Sequence, residues 1–331
     1  MPLLYLLIKL TLALRNPFSG KKYQARLVKS AIFVYRQNPE IVIQDYCLYV
    51  QALLMDRLGD IKRNAVIFFE CPGLSLMKCL MPSFNISLQI EHTLLKPDTT
   101  NTALTFSGSL RIPNQEKLYL VRVDNFEKLK QADVVIDYSR INLFNIRSCS
   151  DLLAYSQKTF CISPTLYSLR LSTVGRSGII TLFGNPNIPR RKLFLEDLGK
   201  NQVISKNISG VYFGVEEIYQ KAKIVINIRQ SDMYDTLEEL RVLPALRSGA
   251  IVICENAPYM EKTAYSQFVI WGSIEEIPNL AIEVEKNYEA VHRRIFGDGS
   301  DNSLFVKRMR RIEKCNELAM NKAINLVNNR K

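Results

Sequence analysis

The segment KIVINIRQSDMYDTLEELRVLPALRSGAIVICE, residues 223–255, decides the fold class of this chain. Its first apolar run, residues 224–228, has the length and composition of a strand that is buried on both faces. After a polar loop, leucines at positions 237, 240, 243 and 246 repeat at helical spacing. Ser248-Gly249 then ends the helix, and residues 251–254 form a second apolar run. Strand, loop, helix, turn and strand in this order form the repeating unit of a parallel α/β sheet.

The start of this helix is predicted at Thr236-Leu-Glu-Glu239, which matches a capping box with Glu239 as the capping partner of Thr236. A loop that follows a parallel strand and enters a helix N-terminus is where α/β sheets bind ligands, phosphates in particular. An acidic residue in the first helical turn does not suit a phosphate, but it suits the hydroxyl groups of a ribose. Since Glu239 is assigned to the cap, Glu238 is the candidate for that contact.

These motifs resemble the donor-nucleotide half of GT-B glycosyltransferases, particularly small bacterial members of the family-1-like group. The matching segments are VINI at 225–228, EELR at 238–241, ALRSG at 245–249 and IVICE at 251–255. The resemblance covers about residues 170–290, and residues 134–139 and 162–167 look like the end of the acceptor half. It implies that Glu238 holds the ribose of a nucleotide-sugar donor and that basic residues hold its diphosphate. Many retaining members carry a second glutamate further along this helix, where Pro244 stands here, so the anomeric outcome stays open.

Composition is that of a globular chain, with 331 residues of which 47% are hydrophobic, enough for two cores of about 150 residues each. The N-terminal half also has an α/β pattern, with predicted strands at 65–70, 86–92, 118–123 and 132–137. We therefore expect two Rossmann-like domains that face each other across a cleft. The predicted parts are an acceptor-side domain at 1–168, a donor-binding domain at 169–291 and a C-terminal segment at 292–331. The last contains a helix that crosses back onto the first domain.

The seven cysteines are scattered, no Cys-x-x-Cys pair occurs, and the chain has two histidines. This pattern argues against a disulfide framework or a zinc site and favours a reducing cytoplasm. No Asp-x-Asp triplet occurs either, which disfavours a metal-dependent GT-A enzyme. We expect no metal and no cofactor beyond the nucleotide-sugar donor, which is a substrate.

A net charge of +12 predicts an acidic partner. The first 39 residues carry seven lysines and arginines and no acid, after an apolar opening that is too short to span a bilayer. Two interpretations are open: a segment that lies on an anionic membrane surface, peripheral to the inner face, or a core helix docked on the first domain. A second basic cluster at 307–311 is typical of a solvated helix face. No helix-turn-helix, zinc-finger, KH or RNP signature supports a nucleic-acid partner.

For the donor's diphosphate the candidates are the arginines of the loop that starts at Gly184, Arg190 and Arg191, and then Arg229 after the VINI strand. Exposed arginines at a helix start would be the alternative. Arg241, in the Glu-x-x-Arg match, and Glu255, at a strand end, complete the predicted donor site, although Glu255 could instead simply begin the next loop.

Transfer with inversion needs a base that takes the proton of the acceptor hydroxyl. His92, Glu91 and Asp137 are the candidates because they lie at the ends of predicted strands of the first domain. The expected function is transfer of a sugar from a nucleotide-sugar donor to a saccharide or lipid-linked acceptor in surface-polysaccharide synthesis. The alternatives are a non-catalytic nucleotide-sugar-binding or assembly protein and a basic membrane or nucleic-acid adaptor.

Overall fold

A computed structural model describes residues 1–19, 22–37, 44–71, 81–97, 110–111, 118–121, 126–209, 213–232, 234–235 and 237–329. The chain divides into two compact units, Met1–Ile162 with Cys315–Lys331, and Ser163–Lys314. The boundary after Ile162 lies a few residues before the one expected at 168. The second boundary, before Cys315, lies within the terminal helix. The six cysteines that the structure describes form no disulfide.

The first unit contains a parallel sheet with one antiparallel edge strand. Its elements in chain order are α1 (Pro2–Ser19), β1 (Tyr23–Val28), β2 (Ala31–Arg36), α2 (Gln44–Arg57), β3 (Ala65–Phe69), β4 (Ser83–Gln89), β5 (Leu94–Pro97), β6 (Leu110–Arg111), β7 (Leu118–Val121), α3 (Phe126–Gln131), β8 (Val134–Asp137), α4 (Arg140–Arg147), α5 (Leu153–Ser156) and β9 (Thr159–Cys161). Within the described residues the main sheet has the order β1-β2-β3-β4-β8-β9. The strand predicted at 118–123 lies elsewhere, because β7 pairs with β5 and β6 in a small antiparallel sheet.

Helix α1 is part of the core of the first unit. Its Ile8 and Leu12 are buried and pack on apolar side chains of β1, β2 and β3, namely Tyr23, Ile32, Val34, Val66 and Phe68. Ile32 pairs with Val66, and Val34 with Phe68, so these side chains lie on one face of the sheet. Among the described residues, no helix has both the length and the apolar character that crossing a membrane requires.

The second unit contains a fully parallel sheet. Its elements are β10 (Ser177–Thr181), α6 (Pro189–Lys200), β11 (Ser205–Asn207), α7 (Glu216–Lys221), β12 (Ala222–Asn227), α8 (Glu239–Arg247), β13 (Ile251–Glu255), β14 (Ile270–Gly272), α9 (Ile277–Lys286), α10 (Tyr288–Phe296) and α11 (Leu304–Asn329). In the described part of this unit the strand order is β11-β10-β12-β13-β14. All four pairings are parallel.

The segment at 223–255 folds as its pattern predicts. All five residues of β13 are buried, and in β12 only Lys223 is partly exposed, as expected of strands covered on both faces. Gly249 follows α8 with a positive φ of 81°, and a Cβ at this position would overlap the backbone oxygen of Arg170. The turn between α8 and β13 therefore requires glycine.

Helix α11 begins in the second unit and ends in the first. Its residues from Cys315 onward belong to the first unit. There Asn316 donates to the hydroxyl of Tyr49 (3.2 Å), and Asn328 donates to the backbone oxygen of Asp60 (3.2 Å). The predicted α/β fold with two parallel-sheet units and a C-terminal crossover helix is confirmed.

Candidate functional site

The strand order of the second sheet reverses between β10 and β12. The chain leaves β10 for β11 on one side and then returns to form β12 on the other side. In open α/β sheets the loops that follow two such strands diverge, and ligands bind in the crevice between them at the carboxyl ends of the strands. We call this end of the second sheet its carboxyl edge. The loops at 182–188 and 228–238 start there.

The buried carboxylate of Glu255 organises the carboxyl edge. Glu255, the last residue of β13, has 4% of its side chain exposed. It receives two hydrogen bonds from Arg190, Nη1 to Oε2 at 2.8 Å and Nη2 to Oε1 at 2.6 Å. Arg229 donates to the same carboxylate from Nη2 (2.7 Å), Nε (3.1 Å) and its backbone N–H (2.9 Å). Glu255 thus holds two guanidinium groups together at the ends of β12 and β13.

The other edge of the Arg190 guanidinium binds Asp232. Nε and Nη2 of Arg190 donate to Oδ1 of Asp232 at 3.1 and 2.7 Å, and Nη1 also donates to the backbone oxygen of Arg229 at 3.1 Å. The side chain of Asp232 is 79% exposed, whereas that of Arg190 is 20% exposed. Burial lowers the pKa of Arg190, but hydrogen bonds and charge from Glu255 and then Asp232 outweigh this effect and raise it overall. Arg190 therefore stays cationic and presents one edge to an exposed, replaceable anion.

Arg191 lies in a different ion network. Its Nη2 is 3.1 Å from Oε1 of Glu238, and Nη1 of Arg241 is 2.7 Å from Oε2 of the same carboxylate. The Arg191 side chain is 4% exposed and its guanidinium lies 5.1 Å from the ring centre of Phe183. Of the two arginines predicted for the diphosphate, Arg190 is the more accessible, and Arg191 is packed beneath the surface.

The predicted capping box is wrong. Helix α8 begins at Glu239, so its N-cap is Glu238, which makes no side-chain cap hydrogen bond. A capping box would require the glutamate at the third helical position instead. Oε2 of Glu239 accepts a hydrogen bond from the hydroxyl of Tyr265 at 3.1 Å, and the side chain is buried. Thr236 lies outside the described residues. Contacts with other elements therefore position both glutamates.

The loop that contains Gly184 connects β10 to α6. Helix α6 starts with Pro189 at its first position, its N-cap residue Ile188 makes no side-chain cap hydrogen bond, and its first turn has no acidic residue. Backbone N–H groups at such a helix start, with the positive end of the helix dipole, favour a phosphate ligand. The structure thus brings together Gly184, Arg190, Arg191, Arg229, Glu238, Arg241 and Glu255 in the elements of one carboxyl edge.

Asp232 is a member of this site that the sequence patterns did not identify. Its only sequence signal was an acidic residue three positions after Arg229 in a polar loop. Its partner Arg190 is 42 residues away, so the pairing depends on the fold.

The predicted bases lie in the first unit, at the ends of the neighbouring strands β4 and β8. Asp137, the last residue of β8, is fully buried, and its Oδ1 accepts hydrogen bonds from the backbone of Ser139 and from Asn142, both at 2.9 Å. Asn142 also donates to the backbone oxygen of Glu91 (3.1 Å). These bonds place Asp137 at the start of α4, where it orders the loop.

His92 and Glu91 follow β4. His92 is buried, and its Nδ1 lies 3.3 Å from the hydroxyl of Tyr138. Glu91 is only partly buried. Of the three predicted bases, Glu91 is therefore the one most accessible to a ligand. Within the described residues, no group of three or more His, Cys, Asp or Glu side chains is arranged to hold a metal ion.

The chain is similar to a viral protein and to a solved glycosyltransferase structure. No protein-family model matches the chain. It is 26% identical over 206 residues to the uncharacterized protein R358 of Acanthamoeba polyphaga mimivirus, an alignment that covers 57% of this chain and 69% of that protein. A solved structure of the glycosyltransferase of kitacinnamycin aligns with 84% of this chain and 79% of its own, at 8% identity and a TM-score of 0.35.

Proposed function

We propose that this chain is a glycosyltransferase whose second unit binds a nucleotide-sugar donor. The observation that carries the proposal is the arrangement at the carboxyl edge, where Glu255 clamps Arg190 and Arg229 at the reversal of strand order. This is where an open α/β sheet binds a nucleotide. The motif resemblance at 225–255 supports the same assignment from sequence.

In this proposal Arg190 binds the donor's diphosphate. Its Nε–Nη2 edge, which faces the exposed Asp232, matches two oxygens of a phosphate as well as it matches a carboxylate. Glu255 keeps its own contact with Arg190 and Arg229 and so holds both cations in place. Glu238, immediately before α8, accepts hydrogen bonds from the ribose hydroxyls.

The transfer step requires the acceptor hydroxyl to lose its proton as its oxygen bonds to the anomeric carbon. The bond from that carbon to the phosphate oxygen breaks, and the nucleoside diphosphate leaves with the electron pair. Arginine cations stabilise the charge that develops on the leaving phosphate. Glu91, the most accessible of the three predicted bases, is our candidate for the proton acceptor if the anomeric carbon inverts. A saccharide or a lipid-linked sugar supplies the hydroxyl.

A non-catalytic nucleotide-sugar-binding protein is the second candidate. The burial of His92 and Asp137, and the hydrogen bonds that tie Asp137 to α4, favour it, since they leave only one of the three predicted bases accessible.

One experiment separates these possibilities. Uridine, guanosine, cytidine and adenosine diphosphates are screened for thermal stabilisation, and sugar donors of any stabilising nucleotide are then tested for release of nucleoside diphosphate. A ligand at 100 times its Kd stabilises the native state by about 2.7 kcal/mol. We expect one base to stabilise the protein and its sugar donors to be consumed. Thermal stabilisation by a nucleoside diphosphate without its release from any sugar donor, with the same result for Glu91→Gln as for wild type, supports the non-catalytic binding protein. No stabilisation by any diphosphate contradicts both.

A further inference from the structure

Helix α1 exposes an apolar face opposite the face that packs on the sheet. Ile8 and Leu12 are buried against β1, β2 and β3. Five leucines face outward with exposed fractions of 82% for Leu3, 61% for Leu6, 39% for Leu7, 59% for Leu10 and 65% for Leu14. The spacing 3, 7, 10, 14 places them in one stripe along the helix, with Leu6 beside it. We call these five residues the leucine stripe.

A leucine stripe is unusual on the outer face of a surface helix, which ordinarily carries polar side chains. Among the exposed side chains described in α1, Lys9 is the one with a charge; the others are Pro2, Ala13 and the leucines. Contiguous exposed apolar surface of this kind marks a site of interaction with a membrane or a protein.

The charge of the N-terminal segment that contains the stripe indicates which partner the stripe fits. Residues 1–39 contain seven basic residues and no acidic one, and Lys9, Lys22, Arg26 and Lys29 are exposed. Anionic lipid headgroups attract each such cation, and lysine can reach them while its aliphatic stem lies along apolar surface. An apolar helix face in a segment whose charged side chains are all basic is the composition of a helix that lies in the plane of an anionic membrane.

We propose that α1 is an in-plane membrane helix. Its leucine stripe enters the boundary between headgroups and acyl chains, while Lys9 and the basic residues after the helix contact anionic lipids. Because Ile8 and Leu12 remain packed on the sheet, the helix would attach the folded first unit directly to the membrane surface. This inference is independent of the proposed donor site.

The test uses the full chain with vesicles of phosphatidylcholine alone and vesicles that also contain phosphatidylglycerol, in a flotation assay. The variant Leu10→Gln/Leu14→Gln removes apolar surface from the exposed face and keeps good helix formers. The matched control is Leu318→Gln, a leucine of α11 that is 52% exposed in the same unit. Deletion of residues 1–20 is a poor test, because it would also remove Ile8 and Leu12 from the core.

We expect wild type and the Leu318→Gln control to float with the anionic vesicles and to bind neutral vesicles weakly. The double variant should bind anionic vesicles about tenfold or more weakly, with an unchanged unfolding midpoint. Added salt should weaken binding of wild type. Equal binding by wild type and the double variant overturns the proposal. Absence of vesicle binding by wild type also overturns it. If sedimentation then shows a wild-type dimer that the double variant dissociates, the stripe is a contact between two copies of the chain.

Discussion

At the carboxyl ends of the strands of the first sheet, polar groups form hydrogen bonds with one another, whereas at the carboxyl edge of the second sheet arginines and carboxylates form ion pairs. In the first unit Asp137 is fully buried and bonded to Asn142 and the backbone of Ser139. In the second unit Glu255 binds Arg190 and Arg229, and Arg190 also binds the exposed Asp232. One buried carboxylate orders a loop, and the other holds cations near solvent.

Topology explains why the two edges differ. The described parallel strands of the first sheet, β2, β3, β4, β8 and β9, follow one direction across the sheet in chain order, so no reversal opens a crevice between diverging loops. The second sheet reverses at β10 and β12, and the charged loops start at that point. Similar architecture therefore does not imply a similar role for each sheet, and the second unit is the stronger candidate for nucleotide binding.

The largest expected effect is the loss of stability caused by Glu255→Gln, which keeps the size of the side chain and removes its charge. Breaking a buried ion pair typically destabilises a protein by about 3–5 kcal/mol, and the partial exposure of the two arginines favours the lower end. Urea unfolding measures the change. The matched control is Glu217→Gln, since Glu217 forms an exposed pair with Lys221 at 3.6 Å in the same unit and should have no measurable effect. Equal stability of both variants would show that Glu255 does not organise the edge.

A smaller effect is expected from Glu238→Ala, measured as nucleotide affinity by calorimetry. Hydrogen bonds to a charged group contribute about 1.5–3 kcal/mol, so loss of the ribose contact should weaken binding about ten- to a hundredfold. Stability should also fall, because the buried Arg191 loses this carboxylate. The neighbouring control Glu239→Gln keeps an acceptor for the hydroxyl of Tyr265 and should leave affinity unchanged. Unaltered affinity in Glu238→Ala would remove Glu238 from the site.

Much of the second unit could be predicted because its signals are local. The buried runs at 224–228 and 251–254 became β12 and β13, and Gly249 ends α8 at a positive φ that glycine adopts without strain. The start of α8 could not be predicted, because Glu238 and Glu239 contact Arg191 and Tyr265, which are distant in sequence. Local capping rules do not include such contacts.

Sequence patterns could select residues for the candidate site, but they could not predict which of these residues contact each other. Sequence patterns selected Arg190, Arg191, Arg229, Glu238 and Glu255, yet the two adjacent arginines bind different carboxylates, at 65 and 47 residues' separation. The antiparallel pairing of β7 with β5 and β6 could not be predicted either, because alternation of apolar residues identifies a strand but not the sheet to which it belongs.

Calorimetry with a nucleoside diphosphate and the corresponding nucleoside tests the central claim most directly, in wild type, Arg190→Ala and Asp232→Asn. We expect wild type to bind the diphosphate more tightly than the nucleoside. Arg190→Ala should weaken diphosphate binding about tenfold or more with little change for the nucleoside. Asp232→Asn should strengthen diphosphate binding severalfold, because it removes the carboxylate that competes for the same guanidinium edge. Absence of diphosphate binding by wild type, or equal diphosphate affinity in wild type and Arg190→Ala, would contradict the claim that this edge holds a nucleotide.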